Sequence, residues 1–231
     1  MYSFIITIIF SLLVQAQELY QLYTEIMPPK FQAEEPNRTL KSFRVHTLDS
    51  YQKFPDFLDI EKSKLANFSG TKLIQGTIKY VEIIKKTYKY DVENQNGKYI
   101  FHVKIYFRFA QAADIQYFTQ KLLEAENIWN QSRYPFNFDY QFKFHLVDDA
   151  KEAHYKVNIL DSTRGPYDTN WGRDWDEITI AHELGHMLGL GDEYQTVTSQ
   201  SDCLDVSLMC SSSAGSLMKH HYYFILRRLV K

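Results

Sequence analysis

The feature that most constrains this chain is one run of eleven residues, His182-Glu183-Leu184-Gly185-His186-Met187-Leu188-Gly189-Leu190-Gly191-Asp192. Residues four apart on a helix share one face, one turn apart. His182 and His186 therefore present two imidazoles to one point, as two ligands of a zinc ion at about 2.0–2.1 Å each. Glu183 follows His182 directly, so a carboxylate can hold a proton next to a water on that ion. Gly189 can take a left-handed backbone and end the helix. The chain can then fold back, and Asp192 offers an oxygen to the same metal. The rest of the chain is read as support or cover for this site.

With 231 residues, 45% of them hydrophobic and 16% aromatic, the chain can bury a core of one moderate domain, or of a small domain plus an extra segment. The formal charge is −2, from 26 basic and 28 acidic residues. No basic block points to nucleic acid or an anionic membrane surface as a partner. Residues 1–16 are uncharged and mostly apolar, too short to span a bilayer comfortably, and end in Val14-Gln15-Ala16, a small-residue cleavage pattern. They read as a secretory signal peptide, although the basic start of such peptides is missing; the alternative is an uncleaved anchor. No later stretch is long and apolar enough to span a membrane, so the expected product is soluble and extracellular. In that setting the two cysteines, Cys203 and Cys210, favour a disulfide over two free thiols. Asn37, Asn67 and Asn130 head sequons, which would make a glycoprotein in a host that glycosylates.

Residues 17–75 have mixed polarity and weak periodicity, punctuated by Pro28-Pro29, Pro36 and Pro55. They fit a propeptide, an accessory segment or a wrapping of the core, and the sequence does not choose. Residues 76–231 form the expected catalytic domain. Within it, 77–109 read as a hairpin turning at Asn96-Gly97. Its return strand puts Tyr99, Phe101, Val103, Ile105, Phe107 and Phe109 on one face, and Lys98, His102, Lys104 and Arg108 on the other. A helix is expected over 114–129 with Asp114 as N-cap and Ile115, Phe118, Leu122, Ala125 and Trp129 as its apolar stripe. Strands follow over 138–147 and 155–160, then a turn-rich loop over 161–174. Asp174 or Asp176 caps the motif helix. A last helix over 219–230 has Tyr222, Ile225, Leu226 and Leu229 as its apolar face.

Strand, helix, strand, strand, loop, then a helix carrying H-E-x-x-H-x-x-G-x-x-D: this order resembles the metzincin clan of zinc metalloproteases. Aspartate in the third ligand position is similar to the snapalysin-type variant. Ser207-Leu208-Met209-Cys210 resembles the clan's methionine turn, with Met218 as a second candidate. The resemblance covers roughly the second half of the chain, from the Tyr99 strand onward. It implies a mixed α/β (α+β) fold, with a twisted mixed sheet over the active-site helix. A small C-terminal subdomain would hold the methionine turn and the terminal helix, pinned by Cys203 and Cys210. It also implies a monomer that binds a protein or peptide substrate extended along an edge strand. Two departures matter. Both cysteines follow the motif, so the clan's propeptide-cysteine latency is missing. Position 211 is serine where some members carry a transition-state tyrosine; Tyr194, Tyr222 or Tyr223 could substitute, but nothing in the sequence shows it.

The residues also carry a mechanism by themselves. His182, His186 and Asp192 hold one Zn²⁺ with a position open, and Glu183 takes a proton from water and passes it to the leaving amine. Met209 is either core packing or, as the resemblance implies, a hydrophobic floor beneath the metal. Glu193 is a rival third ligand, or else orients Asp192 or a histidine. His46, His102, His145, His154, His220 and His221 read as surface or hydrogen-bonded residues rather than a second metal site. Asp161, Asp168 and Asp174 read as solvated groups or caps before calcium ligands. Trp171 and Trp175 either border the cleft or pack. The expected function is a secreted zinc endopeptidase. The alternatives are a silent relative that binds zinc or a partner without cleaving, and a binding protein that works through its N-terminal half.

Overall fold

The structure is a computed structural model that describes residues 60, 62–81, 84–131, 136–161, 169–192 and 207–230. The expected signal peptide, most of the N-terminal segment, Asn37, His46, Asp168, Glu193, Tyr194 and Cys203 lie outside the described residues. The pairing of Cys203 with Cys210 therefore stays an expectation.

Alternation builds the centre of the sheet. Strands β1 (Gly70–Val81), β2 (Ile84–Gln95) and β3 (Lys98–Arg108) run antiparallel in order. Between β2 and β3, Asn96 and Gly97 have φ of 56° and 91°, the two left-handed residues of a type I′ turn. The side chain of Asn94 closes the turn by accepting from the Gly97 N–H at 2.8 Å. Tyr99, Phe101, Val103, Ile105 and Phe107 are all buried, as the alternation requires. Phe109 is not: β3 stops at Arg108, and Phe109 turns out of it with φ 59° and 74% exposure. Its carbonyl accepts from Arg173 instead.

After β3 come helix α1 (Ala112–Gln131), β4 (Asp139–Leu146), β5 (Tyr155–Leu160), the short β6 (Asn170–Gly172), α2 (Glu177–Met187) and α3 (Lys219–Leu226), which ends in a 3₁₀ turn. β4 and β5 pair parallel to β3, and β6 pairs parallel to β5, so the sheet is mixed. β2 pairs with β3 only over residues 91–95 and then leaves with β1. β5 takes over beside β3: the Lys104 carbonyl accepts from the His154 N–H at 2.8 Å, while the Ile105 carbonyl turns the other way, to Val147 beyond β4, at 2.9 Å. The sheet thus forks, and the free half of β2 runs toward the end of α2.

α1 covers one face. Phe118, Leu122, Ala125 and Trp129 are buried, and the Trp129 indole donates to the Ala181 carbonyl in α2 at 3.1 Å. Two expectations for this helix are corrected. Ile115 is 38% exposed. Asp114 lies inside the first turn; its carboxylate reaches back to the Gln111 N–H at 2.7 Å and takes Arg173 Nε at 2.9 Å. Further along, Asn130 and Glu126 accept from the Phe142 and Phe144 N–H groups of β4, and Asn130 also donates to the Phe142 carbonyl. These side chains occupy outward backbone groups of an edge strand, which blunts it. They also engage the sequon amide of Asn130 in packing, whereas Asn67 is exposed.

The boundary at 75/76 falls inside β1. Ile60 and Leu65 are buried in the core, and the Ala66 N–H donates to the Leu229 carbonyl at 2.7 Å. Residues from 62 to 75 are thus built into the same unit as the motif. Their pattern is weak because β1 is an edge strand with Ile74 as its buried side chain. β6 lies where a loop was expected; three residues next to a glycine carry too little pattern to read. No helix among the described residues is long and apolar enough to cross a membrane.

Candidate metal centre

α2 is fixed at both ends. Asp176, rather than Asp174, caps its start and accepts from the Thr179 N–H at 2.8 Å. At the other end Gly189 takes φ 85°. Its N–H donates to the His186 carbonyl and the Leu190 N–H to the Gly185 carbonyl, both at 2.9 Å, the paired bonds of a Schellman stop. A side chain is excluded twice over: a Cβ here would lie 2.7 Å from the Tyr88 ring and 2.8 Å from Arg228 Nη2. The last carbonyls find donors from far away. The Tyr155 hydroxyl donates to Met187 at 2.8 Å, and Arg228 donates to Leu188 at 2.5 Å and Gly189 at 2.6 Å.

This turn also aims the ligands. His186 Nδ1 lies 2.9 Å from the Leu190 carbonyl, and His182 Nδ1 lies 2.7 Å from the Leu208 carbonyl. A carbonyl only accepts, so each Nδ1 carries the hydrogen and each Nε2 presents its lone pair. Both lone pairs meet one atom: Asp192 Oδ1 is 3.2 Å from His182 Nε2 and 3.1 Å from His186 Nε2. Asp192 is 1% exposed, and apart from the two imidazoles neither of its oxygens has a hydrogen-bond partner. Acceptors do not converge in a dry site unless a cation or protons lie among them. Without a metal, protons serve. Burial works against a charged His186, but the Asp192 carboxylate, helped by Glu183, outweighs it and pushes the imidazole up to about 9. Burial likewise opposes ionisation of Asp192, yet the two imidazoles hold its carboxyl far below the usual range.

The three ligand atoms lie within 4.8 Å of one another, and two imidazole nitrogens with one carboxylate oxygen suit zinc. Glu183 is buried beside them. Met209, fully buried, packs against α2 at Gly185: a Cβ there would come within 2.6 Å of its sulfur. Met218 instead occupies the N-cap position of α3, where its N–H donates to His221 Nδ1. The backbone of Ser207, Leu208 and Ser216 ties the Met209 turn together.

Other candidates fall into structural roles. His221 links Met218 to Ser207, and His154 bridges the Lys104 N–H and Asp91. His182, His186 and Asp192 form the one metal-type cluster among the described residues. Asp161 pairs with Arg173. Trp171 is core, packed among the tilted rings of Phe107, Phe118 and Trp175. The Tyr222 hydroxyl is spent on the Trp129 carbonyl at 2.9 Å. Tyr88, Tyr155 and Arg228 hold the site, yet nothing in their local sequence marks them; only the fork of the sheet brings them there.

No protein-family model matches this chain, and no curated protein or solved structure matches it. The geometry above therefore carries the functional argument.

Proposed function

We propose that this chain is a secreted, monomeric zinc endopeptidase of metzincin-like design. In this reading His182, His186 and Asp192 hold one zinc ion, Met209 floors the site, and Cys203 pairs with Cys210. The observation that carries it is the convergence of three buried acceptor atoms, each histidine held in one tautomer, with Glu183 on the same helix turn. When bound, zinc supplies Lewis-acid polarisation of a peptide carbonyl and lowers the pKa of water toward ~7. Glu183 accepts the proton of the attacking water and delivers it to the departing amine nitrogen as the C–N bond breaks. Leu208 and Leu190 fix the two imidazoles through this cycle, so neither has to turn. The substrate class is an extended peptide.

The test compares the purified chain with Glu183→Gln. Both are expected to hold about one zinc per chain, and turnover of an unselective protein substrate should fall by about 10²–10⁴-fold in the variant. Equal cleavage by both, or no metal in either, ends this reading.

A further inference from the structure

The sequons at Asn67 and Asn130 are alike in sequence and opposite in structure. Asn130 lies near the end of α1, where its side chain helps to hold the fold. Its Nδ2 donates to the Glu126 carbonyl one turn back and to the Phe142 carbonyl of β4, both at 2.9 Å, and its Oδ1 accepts from the Phe142 N–H at 3.0 Å. A side-chain amide has two hydrogens, so both are committed. A group carried on Nδ2 replaces one of them, takes that donor from a carbonyl and enters the seam between α1 and β4.

Asn67 lies in the irregular stretch ahead of β1. The backbone on either side of it is tied down. The Ala66 N–H donates to the Leu229 carbonyl at 2.7 Å, and the Phe68 carbonyl accepts from Asn94 Nδ2 at 2.8 Å. The Phe68 ring packs against the core beside Tyr99, with centroids 6.1 Å apart. Asn67 and Ser69, the two side chains that define the sequon, are both exposed. Among the described residues no hydrogen bond engages the Asn67 amide.

We propose that Asn67 is a site of N-linked glycosylation and that Asn130 of the folded chain is not. This inference rests on the reading of the chain as secreted, and not on its being a peptidase. The donor is an oligosaccharide carried on a polyprenyl diphosphate. Asn67 Nδ2 forms a bond to the anomeric carbon, and the bond from that carbon to the diphosphate oxygen breaks. The lipid diphosphate leaves with the electron pair, and the nitrogen gives up one proton. A chain entering a secretory compartment meets this donor before it folds, so burial alone does not keep sugar from Asn130. A chain that takes sugar there cannot close α1 onto β4, and it is lost before secretion. At Asn67 the sugar displaces nothing.

Site-by-site occupancy tests this. The full chain, with its own residues 1–16, is produced in a eukaryotic cell that glycosylates, and the secreted protein is treated with peptide-N-glycosidase in heavy-oxygen water. That enzyme turns each sugar-bearing asparagine into a labelled aspartate, and peptide mass spectrometry reads Asn67 and Asn130 separately. Most secreted chains are expected to carry the label at Asn67 and none at Asn130. Ser69→Ala, which keeps Asn67 in place, should remove one glycan step in gel mobility, whereas Ser132→Ala should leave mobility unchanged. An unlabelled Asn67, or a labelled Asn130 in the secreted chain, overturns the proposal. A second chain, with an established cleavable signal in place of residues 1–16, isolates the secretory reading. If that chain alone leaves the cell, labelled at Asn67, the secretory reading fails and the site assignment stands.

Discussion

Histidines gather in two places in this molecule, each time among carboxylates. On the polar side of β3 and its neighbours, His102, His145 and His154 lie with Asp91, Glu93 and Lys104. Under the fork of the sheet, His182 and His186 lie with Asp192. In the first group the side chains pair with donors and with one another. His154 accepts from the Lys104 N–H at 3.1 Å and faces Asp91 at 3.2 Å; His102 and His145 face each other at 2.9 Å; Asp91 also takes the Lys104 ammonium at 2.8 Å. In the second, backbone carbonyls have claimed both Nδ1–H groups, and the two Nε2 atoms converge on a carboxylate. The number of histidines does not distinguish the two. What distinguishes them is whether the backbone meets Nδ1 with an N–H, as at His154, or with a carbonyl, as at His182 and His186.

The largest effect should come from removing a converging ligand. His186→Ala is expected to weaken zinc binding by at least ~100-fold, whereas His145→Ala leaves it unchanged. Chelator competition on the purified variants measures both. Comparable losses in the two would mean that the polar-side cluster binds the metal, and the distinction would collapse.

A smaller effect should follow from loosening the turn that aims the second group. Arg228 holds two backbone carbonyls and stacks on Tyr88. Arg228→Met leaves those carbonyls without their charged donor, at a cost of about 1–3 kcal/mol in stability. Because Leu190 and Asp192 follow that turn, zinc affinity should drop by about ten-fold as well. Denaturant unfolding with a zinc titration separates the two losses. Lost stability with unchanged zinc affinity would make Arg228 a packing residue alone.

This dependence on Arg228 also marks how far the sequence could be read. The motif, its capping glycine, the Asn96-Gly97 turn and the β5 strand are local: neighbouring residues decide them, through helical spacing, φ > 0 or alternation. Their positions in the structure follow the pattern closely. Asp192 was legible as a candidate ligand only because Gly189 implied a reversal. The fork was not legible, since β3 exchanges β2 for β5 in mid-strand and its pattern of side chains does not change there. Tyr88, Tyr155 and Arg228 reach the end of α2 from three distant elements, each as an ordinary aromatic or basic residue. Phe109 shows the opposite failure. Alternation extended the strand by one residue, and backbone geometry ended it.

The smallest effects concern pH, and they should have opposite signs in the two groups. Burial lowers the pKa of His145 and His154, so folding favours their neutral forms. That contribution is complete above the unfolded value of about 6.5 and is lost as pH falls through the depressed folded values. His186 in the metal-free chain is pushed up to about 9. Its contribution is complete below about 6.5 and is lost as pH rises toward 9. Metal-free protein should therefore lose stability on both sides of neutrality, from different clusters. Zinc needs a neutral His186, so loading should release about one proton near pH 7.5 and remove the alkaline loss while leaving the acid one. Calorimetric titration in buffers of different ionisation enthalpy counts the proton, and thermal unfolding from pH 5 to 9 reads the two limbs. An alkaline limb that persists with zinc bound would show that His186 is not the proton-releasing group.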